Sequence, residues 1–166
     1  MASVPEVFDP SDVEAFARLT QPPAALIGLD LGTKRLGVAS CDAGQRVAGG
    51  IETITRRKFG QDAERLRELV EKRQVLGFVL GLPLNMDGTE GPRAQSSRAF
   101  ARNLSQRLGL PIQLWDERWT TVTADRLMIE ADRSRAHRAA NVDRLAAAVI
   151  LQACLDRLSK LRETTS

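Results

Sequence analysis

Residues 28–39 read GLDLGTKRLGVA, two apolar runs joined by a short polar turn. Asp30 lies inside the first run, close before the turn that begins at Gly32 and contains the two cations Lys34 and Arg35. Burying an unpaired carboxylate is costly, so the interior of a strand rarely accepts one. Asp30 could be a turn residue at the end of a hairpin. It could instead bind a metal or a polar ligand at the edge of a sheet. The stretch therefore predicts a strand–turn–strand unit and makes Asp30 a candidate site residue.

The composition is that of an ordinary globular protein. The chain has 166 residues, of which 43% are hydrophobic and 27% charged, which suits one domain with a substantial core. A formal net charge of +3 does not by itself require a nucleic-acid partner, although clustered arginines can still form a basic surface. We find no stretch with the length of a membrane span and no secretory signal, so we expect a cytoplasmic protein without membrane contact.

Few residues are available for nucleophilic or soft-metal chemistry. Cys41 and Cys154 lie far apart without metal-ligand spacing, which is typical of small core residues in a reducing compartment. His137 is the single histidine, and it lies in an arginine-rich stretch. A Ser-His-Asp or Cys-His site would have to use it, so this chemistry is disfavoured.

The pattern of apolar runs predicts an α/β fold. Runs at 25–31, 36–41 and 46–54 are separated by turn signals and predict an antiparallel meander of three strands. The apolar spacing then becomes helical, and helices alternate with short apolar strands at 75–80 and 112–115. Helical crossovers imply that these later strands pair in parallel. We therefore predict a mixed five-stranded sheet flanked by helices.

Both ends of the chain are predicted to be helical. Residues 1–24 form an N-terminal helical extension, in which Ser11 and Glu14 have the spacing of a capping box. The main domain is predicted over residues 25–162. Its last third contains a helix that begins at Thr120 or Thr121 and, after a basic stretch, a final helix with apolar residues from 142 to 158.

Three acids stand at the edges of predicted elements. Asp30 ends the first strand, Glu117 follows the last strand, and Asp143 opens the last helix. If the first and last strands are neighbours, the three carboxylates converge at one end of the sheet, where they could hold Mg²⁺. Each acid also has a structural interpretation, since Asp143 would favour a helix dipole and Glu117 could pair with Arg118 at the surface. Asp116 and Glu117 cannot both face one site within a strand, and we prefer Glu117.

Four motifs, in this order, resemble one known family. They are GLDLGTKRLGVA at 28–39, GLPLNMDGTEGP at 81–92, DER with two threonines at 116–121, and VD with two alanines at 142–147. They are similar to those of the YqgF (RuvX-like) family of bacterial RNase H-like proteins, over roughly residues 25–160. Members of that family are described as Holliday-junction resolvases and as nucleases for the 5′ end of pre-16S rRNA.

The resemblance implies a fold, a site and a cofactor. The fold would be an RNase H-like mixed sheet. Asp30, Glu117 and Asp143 would take the acidic positions of the family, as catalytic residues and as ligands of Mg²⁺ or Mn²⁺. The chain departs from the family at 131–140, which carries His137 and three arginines where members are often lysine-rich.

Several cations are candidates for phosphate contacts, although runs of charge are often only solvated. The nucleic-acid-binding candidates are Lys34, Arg35, Arg93, Arg118, Arg133, Arg135 and Arg138. The loop at 81–93 lacks the ending of a P-loop, and it is either an ordered surface loop or a substrate contact. Trp119 is a candidate for base stacking, with packing as its alternative.

The acids and the resemblance together lead to a metal-dependent endonuclease as the first hypothesis. The resemblance implies processing of the 5′ end of pre-16S rRNA as its task. A resolvase of four-way DNA junctions and a non-catalytic nucleic-acid-binding factor are the alternatives. The GLDLGT phrase also resembles the first phosphate motif of actin-like and sugar-kinase ATPases, which need two lobes. The sequence does not separate RNA from DNA-junction substrates, nor a monomer from a homodimer.

Overall fold

The computed structural model describes residues 5–120 and 138–165. Within these residues the sheet has six strands: β1 (Val7–Phe8), β2 (Ala25–Leu31), β3 (Arg35–Cys41), β4 (Ala48–Thr55), β5 (Val75–Leu82) and β6 (Ile112–Asp116). The α-helices are α1 (Val13–Leu19), α2 (Phe59–Arg73), α3 (Pro92–Leu108) and α4 (Arg138–Thr165). Short 3-10 helices lie at Pro10–Asp12 and Glu117–Thr120.

The sheet is mixed, with the spatial order β1-β6-β5-β2-β3-β4. The strands β2, β3 and β4 pair antiparallel in sequence, as a meander does. The strands β5 and β6 then extend the sheet in parallel on the other side of β2. These pairings confirm the predicted α/β class, the meander and the parallel pairing of the later strands.

The predicted count of five strands is wrong, because β1 adds a sixth strand at one edge. Val7 and Phe8 pair in parallel with Ile112 and Gln113 of β6. The N–H of Ile112 also donates to the carbonyl oxygen of Glu6 at 2.8 Å. Two residues are too few to show the alternation that identifies a strand, and their partner strand lies far along the chain.

Helices cover both faces of the sheet. The helices α2 and α3 pack on one face, over a core that includes Ile27. The helices α1 and α4 pack on the other face, where Leu26 is buried. Gly28 belongs to this second face, because a Cβ there would come within 2.6 Å of Cβ of Leu151 in α4. Side chains alternate along a strand, so Asp30 lies on the same face as Gly28 and α4.

The N-terminal segment packs against the sheet as part of the second core. Phe16 of α1 is fully buried among residues of the sheet and of α4. The hydroxyl of Thr20 donates to the carbonyl oxygen of Phe16 at 2.8 Å, just after the helix ends. Ser11 does not cap α1, since it lies in the preceding 3-10 helix and α1 begins without a side-chain cap.

Three further expectations concern the remaining sequence features. Cys41 and Cys154 are free and buried, which confirms them as core residues. The helix predicted to begin at Thr120 or Thr121 falls almost wholly in 121–137, outside the described residues. No helix within the described ranges combines the length and the apolar character that crossing a membrane requires.

Candidate functional site

The carboxyl ends of three parallel strands lie together at one edge of the sheet. The strand β5 lies between β2 and β6, and its Gly81 pairs with Trp115 of β6. Asp30 is the next-to-last residue of β2, and Glu117 directly follows the last residue of β6. In open sheets with parallel strands, ligands bind at these carboxyl ends. The topology therefore places two of the predicted acids on either side of β5.

Gly81 leaves room for Glu117 between these strands. A Cβ on Gly81 would overlap Oε1 of Glu117, and it would lie 2.7 Å from Cδ1 of Ile150 in α4. The side chain of Glu117 thus occupies space that any side chain at position 81 would fill. This role of Gly81 was not predicted, although a glycine inside an apolar strand commonly marks such a close approach.

The third predicted acid, Asp143, comes from the first turns of α4. Asp30 pairs with Gly37 in the β2–β3 ladder. A Cβ on Gly37 would overlap the backbone carbonyl oxygen of Asp143, so the missing side chain lets α4 touch the sheet beside Asp30. The charge of Asp143 acts on Asp30 and raises its carboxyl pKa. Asp143 therefore lies near Asp30 at this edge of the sheet.

Burial and repulsion both act against the ionised acids. Burial is the main reason that the pKa of Asp30 is raised, followed by the charge of Asp143, while Arg93 opposes both. Burial also raises the pKa of Glu117 to about 7, with the charge of Asp30 as the second cause and Arg93 again opposing. Like charges in a partly desolvated site favour either protonation or a bound cation.

Two neighbouring clefts divide the three acids. Asp30 and Glu117 line a cleft of about 390 Å³, together with Thr120 and the α4 side chains Val142, Leu145, Ala146, Val149 and Ile150. Asp143 lines a second cleft of about 440 Å³, together with Gly32, Thr33, Lys34, Arg35 and Arg93. In this basic cleft, Nε of Arg35 donates to Oδ2 of Asp143 at 2.7 Å. This ion pair was not predicted.

Asp116 and Glu117 differ in their surroundings. Asp116 is buried and forms an ion pair with Arg118, whose Nη2 donates to its Oδ2 at 2.7 Å. These hydrogen bonds hold the pKa of Asp116 below its usual value. Nη1 of Arg118 also donates to the carbonyl oxygen of Met86 in the 83–91 loop, at 3.2 Å. The structure thus engages Asp116 with its neighbour and leaves Glu117 facing the cleft of Asp30.

The predicted cations fall into three groups. Lys34, Arg35 and Arg93 are exposed and line the basic cleft beside the acids. Arg118 is engaged by Asp116 and Met86, as described above. Arg133 and Arg135 lie outside the described residues, as does the side chain of Arg138, the first residue of α4.

Trp119, which directly follows Arg118, reaches the surface. Its ring packs edge-on against the buried Trp115, with ring centroids 5.3 Å apart. Its side chain is 53% exposed, so packing and an exposed aromatic surface coexist at this position. An exposed ring of this kind is able to stack on a nucleic-acid base.

The acids of this edge offer oxygen donors of the kind that a divalent cation prefers. As the side chains are oriented, no three His, Cys, Asp or Glu residues within 5–120 and 138–165 are grouped closely enough to hold one ion. Asp30 and Glu117 nevertheless supply hard oxygen donors to one cleft. Mg²⁺ is commonly held by one or two carboxylates together with waters and substrate phosphates. The two acids therefore fit Mg²⁺ or Mn²⁺, while Asp143 lies in the neighbouring cleft, paired with Arg35.

Curated bacterial proteins resemble this chain over most of its length. A protein of Cereibacter sphaeroides (strain ATCC 17025 / ATH 2.4.3) is 58% identical over 149 residues, which are 90% of this chain and 93% of that protein. A protein of Bradyrhizobium sp. (strain BTAi1 / ATCC BAA-1182) is 55% identical over 92% of this chain and 94% of its own length. Both carry the name "Putative pre-16S rRNA nuclease".

Solved structures show the same fold at low sequence identity. The RuvC protein of T. thermophilus, in complex with a Holliday junction substrate, superposes with a TM-score of 0.56 at 11% identity, covering 85% of this chain and 97% of that one. The yeast mitochondrial Holliday junction resolvase Ydc2 gives a TM-score of 0.53 at 11% identity, over 90% and 87% of the two chains. These likenesses confirm the RNase H-like fold.

The sequence model of the RuvX family, described as Holliday junction resolvase, matches residues 24–157. This range contains the four motifs and the three acids. With that match and with relatives 55% and 58% identical over nine-tenths of its length, the chain belongs to the RuvX family.

Proposed function

We propose that this protein is an endonuclease that uses a divalent cation to hydrolyse phosphodiester bonds in a nucleic acid. The observation that carries the proposal is the cleft that Asp30 and Glu117 share at the carboxyl edge of the sheet, beside a second cleft in which Asp143 lies with three cationic side chains. Acids that hold a cation next to a phosphate-binding surface suit an in-line displacement at phosphorus. Membership of a nuclease family supports the same activity.

In this proposal Asp30 and Glu117 hold Mg²⁺ or Mn²⁺, and Asp143 is the third acid of the site. Such a cation, when bound, neutralises phosphate charge and lowers the pKa of a coordinated water. Carboxylates bind cations in their ionised form, so Glu117, with a pKa of about 7, releases a proton on binding. The apolar side chains of α4 beside the two acids limit the water around them.

The basic cleft binds the phosphates of the substrate. Lys34 and Arg93 are exposed there, within reach of the nucleic-acid backbone. We expect Arg133, Arg135 and Arg138 to add contacts, since they precede Asp143 closely in the chain. Phosphate contacts fix the position of the nucleic acid and carry little sequence information. Arg118, which is bound to Asp116 and the carbonyl oxygen of Met86, would support the 83–91 loop and could add one contact.

We favour the 5′ end of pre-16S rRNA as the substrate, because the curated relatives carry that name at 58% and 55% identity. A four-way DNA junction is the second candidate, since the description of the family names the Holliday junction. Cutting a junction would require a symmetric dimer, in which each of the two sites cleaves one strand. Light scattering of the purified protein measures its oligomeric state, and a dimer would be consistent with this second candidate. The cytoplasmic location expected from the sequence stays a prediction.

The test compares cleavage of a precursor 16S rRNA fragment and of a four-way DNA junction in the presence of Mg²⁺. Wild type should cleave the RNA, whereas Asp30→Asn, Glu117→Gln and Asp143→Asn should each be slower by on the order of 100-fold or more, since even outer-shell changes cost about 10–100-fold. Glu64→Gln, at an exposed acid of α2, is the matched control and should cleave like wild type. Unfolding curves should show Asp30→Asn to be at least as stable as wild type, because a repelled buried charge is removed.

The outcomes separate the alternatives. Cleavage of the junction alone would assign the resolvase activity, with the same three acids. Equal cleavage by wild type and Asp30→Asn would show that the site is wrongly assigned. RNA binding without cleavage under Mg²⁺ and Mn²⁺ would favour the non-catalytic nucleic-acid-binding role.

A further inference from the structure

We infer that Arg35 is a positioning residue that couples phosphate binding to cation binding. It holds the Asp143 carboxylate in the basic cleft, and it releases that carboxylate toward Asp30 and Glu117 when a substrate phosphate takes its place. The inference rests on the proposed function, and it gives one cation of the site a task beyond neutralising charge.

The first observation is the ion pair itself. Nε of Arg35 donates to Oδ2 of Asp143 at 2.7 Å, with 60% of the Arg35 side chain exposed and 21% of the Asp143 side chain. An ion pair with one well-exposed partner contributes little net stability, because water and salt screen it. Another anion can therefore replace Asp143 on Arg35 at small cost.

The second observation is the orientation of the three acids. Asp143 lines the basic cleft, whereas Asp30 and Glu117 line the neighbouring one. Among the described residues no three acids are grouped to bind one ion in this orientation. The backbone of Asp143 lies in close contact with the sheet at Gly37, so the side chain is the part that has to turn. A change of χ1 between staggered states would redirect the carboxylate.

The third observation is the composition of the basic cleft. Lys34, Arg35 and Arg93 line it, and Asp143 is the acid among its lining residues. A guanidinium binds a phosphate with the same planar fork that it offers a carboxylate. A phosphodiester that enters this cleft meets three cationic side chains, and its negative charge repels the carboxylate of Asp143. The side chain of Asp143 then turns toward the cleft of Asp30 and Glu117, where the divalent metal ion binds.

The coupling has to be reciprocal. If a nucleic-acid phosphate raises the affinity for the cation by some factor, the cation raises the affinity for the nucleic acid by the same factor. The cation should thus bind weakly to the protein alone and more tightly in the presence of a nucleic acid. Both affinities can be measured without any cleavage.

The experiment titrates Mn²⁺ into the full chain by calorimetry, without nucleic acid. Arg35→Gln frees Asp143 and should bind Mn²⁺ tighter than wild type by about 5-fold or more, the usual size of a coupling between two sites. Lys34→Gln is the matched control, since it removes the same charge from the same cleft and leaves the Arg35–Asp143 pair in place. It should give a clearly smaller gain.

A second titration adds a short RNA with phosphorothioate linkages, which resists hydrolysis. This RNA should tighten Mn²⁺ binding to wild type and to Lys34→Gln, but much less to Arg35→Gln, in which Asp143 is already free. Equal gains for Arg35→Gln and Lys34→Gln in the first titration would overturn the inference, because charge alone would then explain them. Weaker Mn²⁺ binding by Arg35→Gln would also overturn it.

Failure of the proposed function gives a different result. If Asp30→Asn and Asp143→Asn both leave Mn²⁺ binding unchanged in the presence of the phosphorothioate RNA, the acids do not form a cation site, and both proposals are wrong. If these two substitutions weaken Mn²⁺ binding while Arg35→Gln and Lys34→Gln behave alike, the cation site stands and the positioning role of Arg35 is wrong.

Discussion

Glu117 folds into a site that favours its protonated form. Burial and the charge of Asp30 raise its pKa from 4.5 to about 7. The unfolded chain loses this proton at a lower pH than the folded protein does. The native state is therefore destabilised as the pH rises between these two values, and the loss is complete above the folded pKa. One pKa unit corresponds to about 1.4 kcal/mol, so the change amounts to about 2–3 kcal/mol after a discount for partial exposure.

Glu117→Gln should abolish this dependence on pH. In EDTA, the free energy of unfolding of the variant relative to wild type should rise by about 2–3 kcal/mol between about pH 5 and about pH 8. Guanidinium unfolding at several pH values measures the difference, in which titrating groups distant from Glu117 cancel. Glu64→Gln, at an exposed acid of α2, is the control variant in the same series. A difference between Glu117→Gln and wild type that does not change with pH would show that burial does not raise the pKa of Glu117.

Single residues of the site were predictable to different degrees. Asp30 stands out in the sequence because an acid inside an apolar strand needs a reason, and a strand end is identifiable from its flanking glycine. The choice between Asp116 and Glu117 was not derivable from spacing, since it depends on hydrogen bonds from Arg118. The pairing of Arg35 with Asp143 depends on which strand α4 crosses, and a local pattern carries no information about that.

At the scale of elements, the contact between α4 and β3 sets the position of the third acid. Gly37→Ala would push a Cβ into the backbone of Asp143, where neither partner is a flexible side-chain end. We expect a destabilisation of about 1–3 kcal/mol from the forced shift. In the presence of the phosphorothioate RNA we also expect weaker Mn²⁺ binding, because Asp143 moves with its helix. Unfolding curves and calorimetry measure the two effects.

Gly49 of β4 offers the matched control for Gly37. A Cβ on Gly49 would meet nothing within 4 Å. Gly49→Ala should therefore leave stability within about 0.5 kcal/mol of wild type, as surface substitutions usually do. It should also leave Mn²⁺ binding unchanged. If both alanine variants behaved alike, close approach at Gly37 would not be what positions Asp143.

Elements with strong periodicity were predictable, and those that depend on a distant partner were not. The strands β2, β3, β5 and β6 contain continuous apolar runs, because helices cover both faces of the sheet. The two residues of β1 carry no such signal, and they become a strand only through pairing with β6. The start of α1 was misplaced at Ser11 because a capping-box pattern specifies residue types but not the 3-10 helix that takes up Pro10–Asp12.

At the scale of the molecule, the division into an extension (1–24) and a main domain (25–162) stays a prediction. The packing of Phe16 allows a test of how far the extension contributes to the common core. Phe16→Ala should destabilise the whole protein by about 3–5 kcal/mol, because the side chain is fully buried. Leu19→Ala in the same helix, where Leu19 is 49% exposed, should cost much less. Denaturant unfolding curves measure the loss of stability in both variants, and we expect each curve to show a single transition.

Similar small losses for the two variants would mean that α1 adds little to the fold. A separate early transition, lost in Phe16→Ala, would mean that the extension unfolds independently of the sheet. Either result would support treating residues 1–24 as an appended unit. A large loss in one cooperative transition would make the extension a structural part of the nuclease.

The packing of α4 over β2 and β3 has a consequence for the protein during its own synthesis. Arg35 and Asp143 lie 108 positions apart, so the ribosome adds the third acid roughly 5–20 s after the first strands, at common elongation rates. Until then α1 is the helix available to cover this face of the sheet, and the part around Gly28, which contacts Leu151 of α4, stays uncovered. A nascent chain in this state is incomplete as a nuclease and exposes an apolar sheet surface, which chaperones bind. If Asp143 belongs to the site as proposed, cleavage can begin only after α4 has been synthesised.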